Sequence, residues 1–183
     1  MWVGIFADSH DHLDHIRRAV SLFNAHGCDV VLFAGDLVST FALPPLRKLA
    51  CPLVGCYGDN EGNKVGLQAG LRAGDVLGEG PLCWRAADGT RFVIAHFERQ
   101  LRDCAEGADV CVFAHTHKPR FLRDDSGRLW INPGETSGWT FGRPTVAVFD
   151  TSSRAVEWIR LDAPDAGQGQ PLGCLDGAGD AVA

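Results

Sequence analysis

The chain has 183 residues, 45% of them hydrophobic and 22% charged, which is the composition of an ordinary soluble domain large enough to bury a core. Its 17 basic and 23 acidic side chains give a net charge of −6, which argues against a broad nucleic-acid footprint, because such a footprint needs a basic face. There is no signal-like segment and no apolar run near the ~20 residues that span a bilayer, so neither secretion nor membrane contact is expected.

Three apolar segments early in the chain are predicted to be strands that run directly into polar residues. These segments are residues 2–7, which are followed by Asp8-Ser9-His10, residues 30–34, which are followed by Gly35-Asp36, and residues 53–57, which are followed by Gly58-Asp59-Asn60. Residues 11–26 show apolar side chains at helical spacing, and Gly27 is placed to end that helix. Further helices are predicted over residues 41–50, with Pro44-Pro45 near the first turn, and over residues 65–72.

The second half of the chain continues the same pattern and then changes. Residues 81–87 and 90–95 predict a hairpin turning at Asp88-Gly89 and ending at His96. A short helix over residues 98–105 and a strand over residues 110–114 lead to His115-Thr116-His117. Three or four strands follow, over residues 120–123, 128–131, 145–149 and 155–161. The fold class is therefore α/β, with two mixed sheets packed face to face and helices outside.

Two parts of the chain bear on its organisation and its location. Residues 1–162 are predicted to form one domain, and residues 163–183, which are rich in Gly, Ala and Asp, have the composition of a tail. The seven cysteines are odd in number and include no C-x-x-C pair. Buried free thiols are the ordinary interpretation, and a cytoplasmic location follows as the expectation.

The polar residues at the strand ends suit metal ions. In an open α/β sheet, the carboxyl ends of strands meet along one edge, so residues distant in sequence can share one crevice. Singly, each residue is more often a cap, a turn or a satisfied polar group. Together, three carboxylates and four imidazoles suit Mn, Fe, Zn, Ni or Co better than Mg or Ca. Seven ligands are too many for one ion, whereas two ions about 3.5 to 4 Å apart that share a carboxylate would use them all.

The order of these motifs resembles that of the calcineurin-like metallophosphoesterase superfamily, and in particular its small single-domain bacterial and archaeal phosphodiesterases. The family pattern of D-x-H, G-D, G-N-x-[DE], a lone His and G-H-x-H reads here as Asp8-Ser9-His10, Gly35-Asp36, Gly58-Asp59-Asn60-Glu61, His96 and Ala114-His115-Thr116-His117, with Ala114 and Phe97 in place of usual glycines. The resemblance implies a four-layer α/β/β/α sandwich. It also implies one ion held by Asp8, His10 and His117, a second held by Asp59, His96 and His115, and a bridge at Asp36.

The implied activity is hydrolysis of phosphodiesters by a metal-activated water, with Asp36, Asp59, Asn60 and His96 as the residues expected to act in catalysis. Two divalent transition-metal ions are the expected cofactors, manganese foremost. Two departures from the family pattern are relevant. Asp59 stands where the family usually has asparagine, which lowers the charge of the site and favours singly charged diesters. Asn60 stands where larger relatives have a histidine that serves the leaving group, so substrates with good leaving groups should react best.

Two other functions remain open at this point. A nuclease would need a positive groove and stacking aromatics, for which Trp84, Trp130, Trp139 and Phe141 are candidates, although packing explains aromatics more often. A protein-binding scaffold of the same fold would not need all four imidazoles. Asn132 is a candidate for substrate contact, and Lys118 and Arg120 for attracting phosphate, each against a plain structural role. A small-molecule phosphodiester is the expected partner, and self-association is possible.

Overall fold

Two six-stranded sheets form the centre of the protein in the computed structural model, which describes residues 1–163 and 179–180. The first sheet contains, in spatial order, β11 (Ala155–Arg160), β10 (Thr145–Asp150), β1 (Trp2–Phe6), β2 (Val30–Phe33), β3 (Leu53–Cys56) and β4 (Val76–Gly78). The second contains β12 (Gly179–Asp180), β8 (Pro119–Arg123), β9 (Leu129–Pro133), β7 (Val110–Val112), β6 (Arg91–Ile94) and β5 (Leu82–Arg85).

Each sheet mixes parallel and antiparallel strands. β1 to β4 run parallel to one another, and β10 and β11 are antiparallel additions on the far side of β1. In the second sheet, β6, β7 and β9 are parallel, whereas β5, β8 and β12 pair antiparallel with their neighbours. Because the parallel strands of a sheet point the same way, the loops after β1, β2 and β3 leave from one edge, and so do those after β6 and β7.

Within residues 1–163, four helices and a short 3-10 helix connect the strands. They are α1 (Leu13–Ala25), the 3-10 helix Thr40–Ala42, α2 (Leu43–Leu46), α3 (Lys64–Ala69) and α4 (Glu98–Leu101). α1 buries one face, and its end at His26 is followed by Gly27 at φ +65°, a conformation that glycine adopts without strain. No helix among the described residues is long and apolar enough to cross a membrane. The cytoplasmic location stays a prediction.

Three apolar clusters define the layers. The central one lies between the two sheets and joins side chains such as Ile5 and Val54 to Ile94 and Val112. A second cluster joins the outer face of the first sheet to α1, α2 and α3, and a third joins the outer face of the second sheet to Leu101 of α4. β1 and β2 are buried on both faces, which explains why their sequences are continuous apolar runs rather than alternating ones. The predicted fold of two mixed sheets with flanking helices is confirmed.

Some predicted boundaries are wrong. The helix predicted over residues 41–50 is divided into the 3-10 helix and α2, and after Arg47 the backbone continues in tight turns from Lys48 N to Pro45 O and from Leu49 N to Leu46 O. α4 ends at Leu101 instead of residue 105 and passes into a turn that closes from Cys104 N to Leu101 O. β4 was not predicted at all.

The predicted tail, residues 163–183, lies outside the described residues except for residues 163 and 179–180. Gly179 and Asp180 form β12, which pairs antiparallel with Phe121 and Arg120 of β8. The domain boundary at residue 162 therefore stays a prediction.

Candidate metal centre

The loops after five parallel strands meet on one side of the molecule. Backbone hydrogen bonds from Asp8 N to Gly35 O (3.0 Å) and from His10 N to Asp36 O (3.0 Å) join the loops after β1 and β2. Ala114 N donates to His96 O (2.9 Å), which joins the loops after β6 and β7. His96 Nδ1 lies 2.8 Å from Ala34 O, so this contact links the two sheets at the site. These bonds hold loops distant in sequence in one fixed cluster.

Asp8, His10 and His117 form the first group of candidate ligands. One donor atom from each lies within 4.8 Å of the other two. Nε2 of His10 is 3.4 Å from Nε2 of His117, and His117 Nε2 is 3.8 Å from Asp8 Oδ1. Two imidazole nitrogens and a carboxylate oxygen therefore point at one small volume, which is the donor set of a transition-metal site with open positions.

Asp59, His96 and His115 form the second group, again with donor atoms within 4.8 Å of one another. Asp59 Oδ1 lies 2.8 Å from His96 Nε2 and 3.5 Å from His115 Nδ1. The structure thus brings together the same two triads that the family resemblance implied.

Asp36 lies between the triads. Its Oδ2 is 3.6 Å from His10 Nε2 in the first triad and 3.5 Å from His96 Nε2 in the second. Its carboxylate also accepts hydrogen bonds from Asn60, at 3.0 Å from the backbone N and 2.8 Å from Nδ2. This is where a bridging carboxylate would lie, and Asn60 fixes its orientation.

The electrostatics of this cluster are unfavourable without a cation. Both carboxylate oxygens of Asp8 are fully buried and have no hydrogen-bond partner. Burial raises the pKa of Asp8 to about 9, and the nearby charge of Asp36 adds to that rise. Burial also lowers the pKa of His10. Orphaned acceptors that converge on one volume are what divalent ions would satisfy, so the residues fit a metal centre.

The backbone at the cluster is strained. Five of the seven candidate ligands are non-glycine residues at positive φ: Asp8 (50°), His10 (42°), Asp36 (66°), His115 (66°) and His117 (62°). This left-handed conformation costs a non-glycine residue about 1–2 kcal/mol. Such strain persists only where the surrounding structure imposes it, and it concentrates at functional sites.

Glu135 and Glu61 support the cluster through hydrogen bonds, and neither was predicted from the sequence to do so. Glu135 is fully buried, and its Oε2 lies 2.8 Å from His117 Nδ1. Burial alone would raise the pKa of Glu135, but hydrogen bonds from His117 and from backbone N–H groups outweigh it and lower that pKa. Glu61 accepts from Leu37 N (2.9 Å) and Gly58 N (2.7 Å) and so joins the loops after β2 and β3. A signal for Glu61 was present, because it is the fourth residue of the Gly58-Asp59-Asn60-Glu61 motif.

Asn132 is not a substrate-contact residue here. It is fully buried, and its Nδ2 donates to Ala114 O (3.2 Å) and to Thr116 Oγ1 (3.0 Å), so it holds the loop that carries His115 and His117. Arg120 is paired with Glu98 at 2.8 Å. Lys118 is exposed, with its Nζ 5.1 Å from the centre of the Phe141 ring.

The chain is similar to several known proteins. The profile of the calcineurin-like phosphoesterase superfamily domain matches residues 1–154. A phosphodiesterase of Methanocaldococcus jannaschii is 32% identical over 169 residues, which cover 88% of this chain and all of that protein. The solved structure of an archaeal phosphodiesterase has a TM-score of 0.81 at 31% identity, covering 87% of this chain and 99% of the other. A phosphoesterase of E. coli shares the fold, with a TM-score of 0.71 at 18% identity over 96% of this chain and 98% of its own.

Proposed function

The chain belongs to the calcineurin-like phosphoesterase superfamily, and from this premise we propose that it hydrolyses phosphodiesters with two bound divalent transition-metal ions. Asp8, His10 and His117 would hold one ion, Asp59, His96 and His115 the other, and Asp36 would bridge them. Manganese is the ion we propose for the cell, with nickel, cobalt, iron and zinc as alternatives, because mixed imidazole and carboxylate donors suit these metals.

The observation that carries this proposal is the state of Asp8. A carboxylate with no exposed surface and no hydrogen-bond partner, next to the carboxylate of Asp36, is among the least favourable arrangements a protein interior can contain. A structural role would not need it, because an apolar residue would fill the same space at lower free energy. A cation held by Asp8 would satisfy this carboxylate and would offset the repulsion from Asp36.

Two such ions, when bound, act as Lewis acids on phosphoryl oxygens and lower the pKa of a water nucleophile toward neutrality. The contribution of the chain is to keep the ligands in place before substrate arrives. Asn60 fixes the carboxylate of Asp36 through two hydrogen bonds, and Ala34 O fixes the ring of His96. Ligands that do not have to reorganise during the reaction stabilise the transition state more effectively.

The preference for diesters over monoesters would come from Asp59. Four positive charges on two divalent ions, against the aspartates at positions 8, 36 and 59, leave one net positive charge at the site, and asparagine at position 59 would leave two. A weaker positive field favours a singly charged diester over a doubly charged monoester. The Asp59 side chain is 45% exposed, so solvent screens this effect, and we expect a preference rather than an exclusion. Asn60 has no titratable proton to donate, so activated leaving groups should react best.

The test is a metal-dependence assay on purified protein. The protein is stripped of metal and then supplied with Mn, Ni, Co, Zn or Mg, and hydrolysis of bis(p-nitrophenyl) phosphate and of p-nitrophenyl phosphate is measured. Asp36→Ala removes the proposed bridge, and Asp125→Ala, at an exposed position between β8 and β9, is the matched control.

The proposal expects diester turnover that requires added metal, is lost in Asp36→Ala and is retained in Asp125→Ala. Turnover in the stripped protein, or equal turnover in the two variants, would overturn it. Metal binding without turnover of either ester would favour the scaffold function instead.

A further inference from the structure

Two exposed aromatic side chains lie beside the proposed metal centre, on the loop between β9 and β10. Trp139 is 65% exposed and Phe141 is 46% exposed. The other two candidate stacking residues are occupied by packing. Trp84 contacts Phe92 at a ring separation of 5.7 Å, and Trp130 donates from Nε1 to Asp124 (2.9 Å). Of the four aromatics considered for base stacking, only the pair on this loop is available to a ligand.

The loop is held in one conformation. The buried carboxylate of Glu135 accepts hydrogen bonds from the backbone N of Thr140 (3.0 Å) and of Phe141 (2.7 Å). Gly138 takes φ +70°, and a Cβ there would lie 3.0 Å from Cδ of Pro144. A rigid backbone that presents apolar rings to solvent is a preorganised surface, and binding to it loses little conformational entropy.

The same loop touches the first metal triad. The indole Nε1 of Trp139 lies 3.4 Å from the carbonyl oxygen of His10, and the indole stands 4.7 Å from the ring of His12. Oγ1 of Thr140 lies 3.0 Å from Nδ1 of His117. Residue 139 is 65% exposed although its indole borders His10, a candidate ligand. A group attached to a phosphate at the metal centre would therefore have this ring within reach.

We propose that Trp139, with Phe141 beside it, is the specificity surface of the enzyme and stacks on a planar aromatic ring carried by one alcohol of the diester. The substrate class is then a small phosphodiester with a nucleobase or an aryl group, which narrows the proposed function and rests on it. Lys118, whose Nζ stands over Phe141, adds a positive charge to this surface. Stacking of one base on one aromatic side chain is typically worth about 10-fold in affinity.

The test measures binding, so that it does not depend on turnover. Titration calorimetry on manganese-loaded protein compares thymidine 5′-monophosphate with 2-deoxyribose 5-phosphate, and phenyl phosphate with methyl phosphate. Each pair differs by the ring and shares the phosphate. Trp139→Ala is compared with Trp2→Ala, because Trp2 is 46% exposed but lies at the amino end of β1, at the opposite edge of the sheet from the loops with the ligands.

In the wild type and in Trp2→Ala, we expect the ligand with the ring to bind about 10-fold more tightly than its partner without the ring. In Trp139→Ala, we expect this ratio of affinities to approach 1. If the ring raises affinity only in the nucleotide pair, the surface binds a nucleobase. If the ring raises affinity in both pairs, the surface binds aromatic groups in general. Equal affinities within each pair in the wild type would overturn the inference. A Trp139→Ala protein that keeps the affinity ratio would also overturn it. If that protein also sediments as a smaller assembly than the wild type, Trp139 contacts a second copy of the chain instead of a ligand. Ring-dependent binding with no diester turnover would leave this inference standing and reject the proposed function.

Discussion

Replacing Glu135 by Gln should weaken both the fold and metal binding, although residue 135 is not a candidate ligand. The carboxylate is fully buried and ties the loop after β7 to the loop between β9 and β10. Oε2 faces His117 Nδ1 at 2.8 Å and Thr140 N at 3.0 Å, and Oε1 accepts from Phe141 N at 2.7 Å. Because His117 Nδ1 donates its proton to this carboxylate, the lone pair of Nε2 is directed at the metal position.

The size of the effect follows from counting these contacts. Gln is nearly isosteric with Glu but has one acceptor oxygen and one NH2 group. In its better orientation the oxygen faces His117 and Thr140, and the NH2 group meets the backbone N–H of Phe141, where two donors oppose each other. Loss of one charge-assisted hydrogen bond in a buried site costs about 1.5–3 kcal/mol. Removing the charge behind a metal-ligating imidazole typically lowers metal affinity about 10- to 100-fold.

The assay has two parts. Urea unfolding of the metal-free protein should show Glu135→Gln less stable by about 2 kcal/mol, and Mn titration by calorimetry should show affinity lower by at least about 10-fold. Glu79→Gln is the control, because Glu79 pairs with Lys64 at an exposed position and should change neither quantity. A Glu135→Gln protein that is destabilised but binds Mn as tightly as the wild type would refute the argument that Glu135 orients a ligand.

Three further predictions concern other contacts. Asp59→Asn should raise kcat/KM for a monoester relative to a diester by up to about 5-fold, the size of an exposed charge interaction of ~1 kcal/mol, and an unchanged ratio would reject the electrostatic explanation. Burial alone would raise the pKa of Asp75, but hydrogen bonds from Arg72 and from a backbone N–H outweigh burial and lower that pKa. The stability that this carboxylate supplies is therefore present at neutral pH and is lost as the pH falls below 3.8, the pKa of the group in the unfolded chain. Asp75→Asn should therefore be less stable by about 2 kcal/mol in urea at pH 7, with a difference that narrows below about pH 4; a constant difference would contradict this. Gly35→Ala should cost more stability than Gly89→Ala and should also weaken Mn binding. Both glycines have φ near +100°, but only a Cβ at position 35 meets another group, Nδ1 of His96 at 2.6 Å. Equal losses of stability in the two variants would show that backbone conformation alone matters.

The strand-end motifs could be predicted from the sequence because each part of the signal is local. β1 and β2 are buried on both faces, so their segments are continuously apolar, and the abrupt change to Asp8 or to Gly35-Asp36 marks the end of the strand. The parallel order of the strands places the three ends of the first sheet at one edge and the two ends of the second sheet at one edge. The packing of the two sheets brings these edges together, and His96 Nδ1 lies 2.8 Å from Ala34 O where they meet.

The failures share a different cause, namely contacts between residues distant in sequence. β4 has three residues, and its pairing with β3 rather than its own composition makes it a strand. The role of Glu135 depends on the approach of His117 from the loop after β7, and Asn132 is buried against the same loop rather than available to a substrate. A polar residue after a strand looks the same in a sequence whether it faces the site or supports it from behind.

The two-metal site is tested most directly by titrating metal-free protein with Mn while measuring bound ions and hydrolysis of an activated diester in the same samples. We expect turnover to stay low until the second ion binds and to saturate at two ions per chain, because Asp36 lies between two triads. Full turnover with a single bound ion, or two bound ions with no turnover, would contradict it.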